Sequence, residues 1–416
     1  MTSWDCFDTL IARRYVHPYT IFDEVGKRLS IHNFREIRME AEKQSNGTYD
    51  DIYSRLPGID KNIELQVEKE HLFPIAENMQ RVEDGDIIVS DMYLTVEQVT
   101  DLLKACGLNK DVKIYVTWGG KWDGWIWDQV ERPDLHVGDN LRSDVEIPKQ
   151  RGINVEFYTA HKLNDIELEI SKEDPELACW MRMIRLSCPY TNINKFFWND
   201  QADLNIPALA LASLELPNVP LAFTYRTSAN WLTIYKAVVN GIAKEYQTSR
   251  ECYSKASPEF IDYFKKEIIN EGYTIVDVQG SGKSLESFLQ KTNLPTPGMI
   301  YLTGPVIDKY TSITKTSVDF EKWLSVKTDA CEKLNLLDIG AISSWDELGI
   351  KRLPCEHDIN IVKVQQEAVN LGISLVKLFN IKPNKNLLLL LMEKMNHCAT
   401  NIIVGQTWTT DNIKKA

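Results

Sequence analysis

The first fourteen residues, MTSWDCFDTLIARR, constrain the fold more than any other stretch. An apolar run opens almost at the first residue and is broken by Asp5, Asp8 and Thr9. Acids seldom sit inside a buried strand unless they are paired or hold a metal. A strand that ends in such groups is where an open α/β sheet places its site. The same letters also fit a strand running into a turn, with Asp8 and Thr9 capping a helix. Three later stretches decide between the two.

The next strand is expected at Asp86–Ser90, entering Ser90-Asp91, followed by a helix over Val96–Cys106 that stops at Gly107. Strands then follow at Val112–Val116, Asp134–Val137 and Asn154–Tyr158. Strands separated by helical segments imply a parallel sheet. Between the first strand and the second, Tyr19 to Phe73 is helical in pattern, with Ile21, Val25 and Leu29 at helical spacing. Helices inserted there would form a small cap over the site.

With 416 residues the chain exceeds what one core usually holds, so two domains are expected. The reading places an α/β Rossmann-like domain at 1–160 with its cap at about 19–80, and a linker with helices at 161–205. A second α/β domain follows at 206–356, then C-terminal helices at 357–416. In the second domain strands are expected at Pro220–Thr224, Thr274–Val278 and Met299–Leu302, with helices at Trp231–Glu245 and Phe260–Glu271. The tail is read as a helix showing Ala368, Leu371, Leu375 and Phe379 on one face, with its last dozen residues fraying. Those apolar faces suit either packing on the second domain or self-association.

A net charge of -12 argues against broad nucleic-acid binding. Eight scattered cysteines form no CxxC pair, which suggests neither a zinc ribbon nor a redox dithiol. No secretory leader is read at the start, and the longest apolar run, Leu387–Met392, is far too short to span a bilayer. The expectation is a cytoplasmic protein with no membrane partner.

In a parallel sheet the strand ends share one edge. That edge would carry Asp5, Asp8, Thr9, Ser90, Asp91, Thr117, Lys121, Asp139 and Asp144. These residues suggest phosphoryl transfer. A carboxylate can attack phosphorus and form an acyl phosphate, provided that a cation such as Mg²⁺, held by Asp5 and Asp139, neutralises it. Ser90 and Lys121 would then hold phosphate oxygens. Trp118, Trp122, Trp125 and Trp127 interleave with glycines beside Lys121 and suit either core packing or a pocket for a flat or sugar-like group. His136 reads as a strand residue.

The segments Asp5-Cys6-Phe7-Asp8-Thr9-Leu10, Val89-Ser90-Asp91, Lys121 and Gly138-Asp139-Asn140-Leu141-Arg142-Ser143-Asp144 appear in that order. Together they resemble the motifs of the haloacid-dehalogenase superfamily of aspartate-nucleophile phosphatases. The resemblance implies Asp5 as nucleophile, Ser90 and Lys121 on the phosphate with Thr9 and Asp91 as further candidates beside it, and Mg²⁺ held by Asp5, Asp139 and the main-chain carbonyl of Phe7, with Asp144 supporting either the metal or Lys121. The family usually carries a second aspartate two residues after the nucleophile, as general acid and base. Here that residue is Phe7, and an acid appears one later, at Asp8. A phenyl ring cannot protonate a leaving alkoxide. Either Asp8 or a cap residue does so, or the leaving group needs no help, or the domain is a weak or inactive phospho-ligand-binding, regulatory module.

In the second half, Val276-Asp277-Val278-Gln279-Gly280-Ser281-Gly282-Lys283-Ser284 reads as strand, glycine turn and helix start. Backbone amides of such a turn can cradle an anion. The spelling GKS suggests a P-loop, but the first glycine of that motif is replaced by Asp277. The stretch is weakly similar to the ribose-phosphate loop of phosphoribosyltransferases. That likeness implies Asp277 on ribose hydroxyls and Ser281, Gly282, Lys283 and Ser284 around the 5-phosphate; Gly280 in the same turn and Arg226, which ends the strand read upstream, are further candidates for this second site. The family's adjacent second acid is Val276 here and its loop acid is Gly280, so an ordinary strand-turn-helix fits the stretch better.

Overall fold

The computed structural model describes residues 1–280, 282–303 and 330–404. The chain divides into two compact units, Met1–Leu168 with Leu186–Pro189, and Glu169–Arg185 with Tyr190–Ala416. Both are α/β, each built on a parallel sheet flanked by helices.

Seven strands lie in the first unit: β1 (Thr2–Trp4), β2 (Ile11–Arg13), β3 (Leu72–Pro74), β4 (Ile87–Asp91), β5 (Lys113–Thr117), β6 (Leu135–Gly138) and β7 (Asn154–Phe157). Five of them form the sheet β5-β4-β1-β6-β7, and every pairing in it is parallel. The central strands are apolar on both faces, as helix-covered parallel strands must be. Ile87, Ile88 and Val89 are buried on β4, and Val137 on β6. Because β1 is central, Asp5 emerges at the middle of the C-terminal edge, between the ends of β4 and β6.

The capping alternative for Asp8 and Thr9 does not hold, and Ser90-Asp91 caps no helix either. The first helix after β1 begins at Thr20, preceded by Tyr19, so Asp8 and Thr9 cap nothing. The helix after β4 spans Val96–Ala105 and is capped by Thr95 in a reciprocal box with Gln98, which frees Ser90 and Asp91. Asp8 instead sits in a tight turn. Its φ is +59°, its N–H donates to the Ile11 carbonyl, and the Leu10 and Ile11 N–H groups both donate to the Cys6 carbonyl. Aspartate tolerates this left-handed conformation better than most residues.

The expected cap is a helical insertion closed at its base by antiparallel β2 and β3. It contains the helices Thr20–Leu29, Phe34–Gln44, Tyr49–Ser54 and Asn62–His71, packed on Ile21, Phe22, Val25, Phe34 and Val67. Two buried ion pairs hold it. At the stem, Arg13 Nε lies 2.7 Å from Glu68 Oε1. Deeper, Arg38 makes a forked contact with Glu64 at 2.7 and 3.0 Å. The Tyr53 and Tyr93 hydroxyls donate to the same carboxylate at 2.7 and 3.2 Å. Tyr93 follows β4, so this network ties the cap to the site edge. A second tie is Trp118, whose indole lies against Gly47. A Cβ at residue 47 would come within 2.3 Å of that ring, and its φ is +86°.

The second unit holds β8 (Leu221–Thr224), β9 (Ala243–Tyr246), β10 (Thr274–Gln279), β11 (Met299–Thr303), β12 (Ile342–Asp346) and β13 (Gly349–Arg352). The first four make the parallel sheet β11-β10-β8-β9, and the last two a hairpin. The helix expected over Trp231–Glu245 ends earlier: it spans Ala229–Val238, and Glu245 belongs to β9. The acid-rich stretch from Asp165 to Glu176 contains the helix Asp165–Ile170 and the start of another, Pro175–Leu186. In the tail, the helix Ile359–Val376 buries Val362, Ala368, Val369, Gly372 and Val376. Leu371 and Leu375, expected on its inner face, are only half-buried. The segment Lys385–Val404 exceeds the short apolar run read from the sequence and has the length and composition of a membrane span. Its Leu387, Leu388, Leu391, Met392 and Met395 are nonetheless buried in the unit, as in a core helix. The fraying expected of the last dozen residues falls at 405–416, outside the described residues.

Removing one partner of a fully buried ion pair leaves the other charge uncompensated, at a cost of about 3–5 kcal/mol. Arg38→Ala is therefore expected to destabilise the first unit by that amount. Urea unfolding followed by far-UV circular dichroism checks it, and a loss below about 1 kcal/mol would mean that the pair does not hold the cap.

Candidate functional site

At the middle of the sheet edge, Lys121 is 2% exposed. A lysine so buried must be paired. Its ammonium bridges Asp5 Oδ1 and Asp144 Oδ1, the latter at 2.5 Å. Burial works against the charged form, but Asp144 and Asp5 outweigh it and the lysine is held protonated, above its usual range. The loop after β5 is itself held by Asp91. That carboxylate accepts from the Thr117 hydroxyl, from Lys121 N–H at 3.0 Å and from Trp122 N–H at 3.0 Å. Asp91, which the motif sets beside the phosphate, thus orients the turn that carries the lysine.

Asp144 comes from a wide π-helical turn, Leu141–Glu146, directly after β6. It reaches back over Gly138 so closely that a Cβ there would lie 2.4 Å from its Cγ. Asn140 N–H donates to Asp144 Oδ2 at 2.9 Å, and His136 Nε2 lies 3.0 Å from Oδ1. A carboxylate only accepts, so Nε2 carries the proton and Nδ1 accepts from the Ser3 hydroxyl at 3.0 Å. Burial lowers the basicity of His136, which keeps it a neutral donor. Desolvation would raise the Asp144 carboxyl, but Lys121 and His136 prevail and hold it far below the carboxylate range. His136 is the strand residue the sequence indicates, and it also fixes this acid.

Asp5 has different surroundings. Its N–H donates to the Val137 carbonyl at 2.8 Å, and Thr9 Oγ1 donates to Asp5 Oδ2 at 3.3 Å. Thr9, another residue the motif assigns to the phosphate, is fully buried and steadies Asp5. Burial and the neighbouring Asp144, opposed by Lys121, push Asp5 up to about 6. Asp139 is pushed up to about 8, by burial first and then by Asp5, Asp8 and Asp144. Ser90 is buried at the end of β4, level with Val116 of β5. Phe7 bridges to Ile11, and its ring lies under the Arg13 guanidinium at 4.5 Å.

Crowded carboxylates are what a divalent cation relieves. Asp5, Asp139 and Asp144 offer ligand atoms within 4.8 Å of one another, and Asp8, Asp139 and His161 do the same. Asp139, raised by burial and by Asp5, and Asp5, raised by burial and by Asp144, fit such an ion. His161 is not indicated by the sequence, because it falls one residue past the first domain's expected end at 160 and no motif marks it. Among the tryptophans, Trp127 is buried and meets His136 edge-on at 4.8 Å. Trp118, Trp122 and Trp125 remain 40–50% exposed, and Arg142 covers Trp122 at 4.7 Å.

The second unit's residues are arranged otherwise. Asp277, on β10, accepts from the hydroxyls of Thr227 at 3.0 Å and Ser228 at 3.2 Å, so its carboxylate binds within the unit. The ring of Tyr301 lies over Gly280, where a Cβ would meet it at 2.0 Å. Gly282 precedes the helix Lys283–Thr292, in which Lys283 is exposed and Ser284 half-buried. Ser281 is outside the described residues. Arg226, at φ +116°, lines a cavity of about 60 Å³ with Lys333 and His357.

No family model matches the chain, and no curated protein does.

The raised carboxyl of Asp139 predicts a pH effect of definite sign. Between its ordinary value of 3.8 and about 8, the folded metal-free protein binds more protons than the unfolded chain, so stability falls as pH rises. The slope from this one group reaches at most about 1.4 kcal/mol per pH unit. Mg²⁺ should restore stability more at pH 8 than at pH 5, and Asp139→Asn should flatten the metal-free profile. Melting temperatures across that range, with and without Mg²⁺, test this, and a profile unchanged by the substitution would contradict it.

Proposed function

We propose that the first unit is a Mg²⁺-dependent phosphohydrolase acting on a small phosphorylated metabolite, a sugar phosphate or a nucleotide, through phosphorylated Asp5. The observation that carries this is the buried ammonium of Lys121 shared by Asp5 and Asp144 at the centre of a parallel sheet edge. The reading follows the chemistry of the haloacid-dehalogenase superfamily, which the order of the motifs resembles. Asp5, Asp139, Asp144 and the Phe7 carbonyl would hold Mg²⁺, which when bound supplies charge neutralisation where an anionic substrate meets a carboxylate.

The chain's own residues do the rest. The Asp5 carboxylate attacks phosphorus and the bond to the ester oxygen breaks. Lys121 and Ser90 hold the phosphoryl oxygens, one by charge and one by hydrogen bonding. Water then cleaves the acyl phosphate, returning the carboxylate and releasing phosphate. His136 keeps Asp144 in place, so the lysine stays aligned with Asp5. The departing oxygen takes its proton from Asp8, whose turn sets it one residue past Phe7. The helical cap over the edge favours small substrates, since a covered site excludes polymers.

One observation favours a second reading, a catalytically weak phospho-ligand-binding module. Phe7 occupies the usual position of the general acid, and its ring is held under Arg13. The two readings part on the leaving group. Hydrolysis of sugar phosphates, nucleotides and an activated aryl phosphate, with and without Mg²⁺, is expected to require the metal. Asp5→Asn should lower it by at least about a thousandfold, the scale of losing a nucleophile. Asp8→Asn should slow the alkyl esters by about a hundredfold and the aryl ester far less. Turnover of the aryl ester alone would favour the weak module, and no turnover by folded protein would end the hydrolase reading.

A further inference from the structure

The metal-ligand atoms at the sheet edge fall into two groups that share Asp139. We propose that Asp8, Asp139 and His161 form a second metal position, one that prefers a transition-metal dication such as Mn²⁺ over Mg²⁺. It shares Asp139 and Asp8 with the proposed function: Asp8 is a ligand when this position is filled and the proton donor when it is empty, and direct metal binding tests the position separately.

Parallel pairing creates the juxtaposition. β6 and β7 run side by side in register, with Gly138 opposite Phe157, so the loops that follow them leave together. One brings Asp139. The other brings His161, anchored by the Tyr158 N–H donating to the Gly138 carbonyl at 2.8 Å. The positive φ of Asp8 turns the loop after β1 at the same edge. One ligand atom from each of the three then lies within 4.8 Å of the others.

The key separation is that between His161 Nε2 and Asp139 Oδ2, 3.7 Å. That is longer than a hydrogen bond. It matches the roughly 3–4 Å between neighbouring ligands that each stand about 2.1 Å from one ion. His161 is buried, so its ring is held where it faces the acid.

Ligand chemistry sets the preference. An all-oxygen group such as Asp5, Asp139 and Asp144 suits Mg²⁺, whereas an imidazole nitrogen with two carboxylates suits softer ions. A carboxylate that belongs to both groups can bridge two ions about 3.5–4 Å apart, as in two-metal hydrolytic centres.

The test is Mn²⁺ binding to the full chain, read by titration calorimetry and by electron spin-echo modulation of the bound ion. The wild type should show coupling to a histidine nitrogen. His161→Gln should abolish that coupling and weaken Mn²⁺ binding by at least about tenfold, with Mg²⁺ affinity changed by less than about threefold. Asp8→Asn, a second route should the first variant fail to fold, should also weaken Mn²⁺ by about tenfold. Absence of nitrogen coupling in the wild type would overturn the proposal, as would unchanged Mn²⁺ affinity in a folded variant. Should Mg²⁺- and Asp5-dependent hydrolysis occur without nitrogen coupling, this inference alone fails. Should nitrogen coupling occur in a protein that hydrolyses nothing, the phosphohydrolase reading alone fails.

Discussion

A single buried ammonium organises the first unit. Lys121 can remain charged inside the protein only because Asp5 and Asp144 both face it. Each of its neighbours then has a defined duty. Asp91 holds the turn that presents the lysine. His136 and Asn140 hold Asp144, and the bare Cα of Gly138 lets that acid come near. The arrangement is also asymmetric. Asp144 is bound firmly as an anion, whereas Asp5 and Asp139 are left with carboxyls raised by burial and crowding. Two acids whose surroundings favour protonation, beside one that is locked charged, form an edge suited to receive a cation and an anionic substrate together.

The cap extends the same economy of charge. Arg13 and Arg38 are buried but each has a carboxylate from the helix Asn62–His71. Both pairs tie the insertion to residues adjoining the site, Arg13 through Phe7 and Arg38 through Tyr93. In the loop after β5, Trp118 continues this contact against Gly47, while Trp122 lies under Arg142 of the turn after β6. Trp118 therefore stands where cap and sheet edge meet, three residues before the lysine.

Much of this was legible in the sequence because the relevant signals are local and strong. The run Ile87–Asp91 is apolar, β-branched and closed by polar residues, and it fixes a central strand. Gly138-Asp139 followed by Asp144 marks a strand end with acids at close spacing. Other features depend on partners distant in the chain. β9, Ala243–Tyr246, carries only a short mixed stretch, AKEY, at the edge of its sheet, and the helical pattern before it masks it. His161 lies past the last strand without a motif, and only the pairing of β6 with β7 brings it to Asp139. The engagement of Asp277 by Thr227 and Ser228 was equally hidden, since those hydroxyls come from the loop after β8, about fifty residues earlier.

The most direct test of the account is chemical identification of the nucleophile. Protein quenched during turnover of an aryl phosphate with Mg²⁺ can be reduced with borohydride, which converts an aspartyl phosphate to homoserine, and then mapped by mass spectrometry. The account predicts homoserine at residue 5 and at no other aspartate, Asp8 included. Turnover that leaves Asp5 unmodified under conditions where the intermediate accumulates, or modification of another residue, would contradict it.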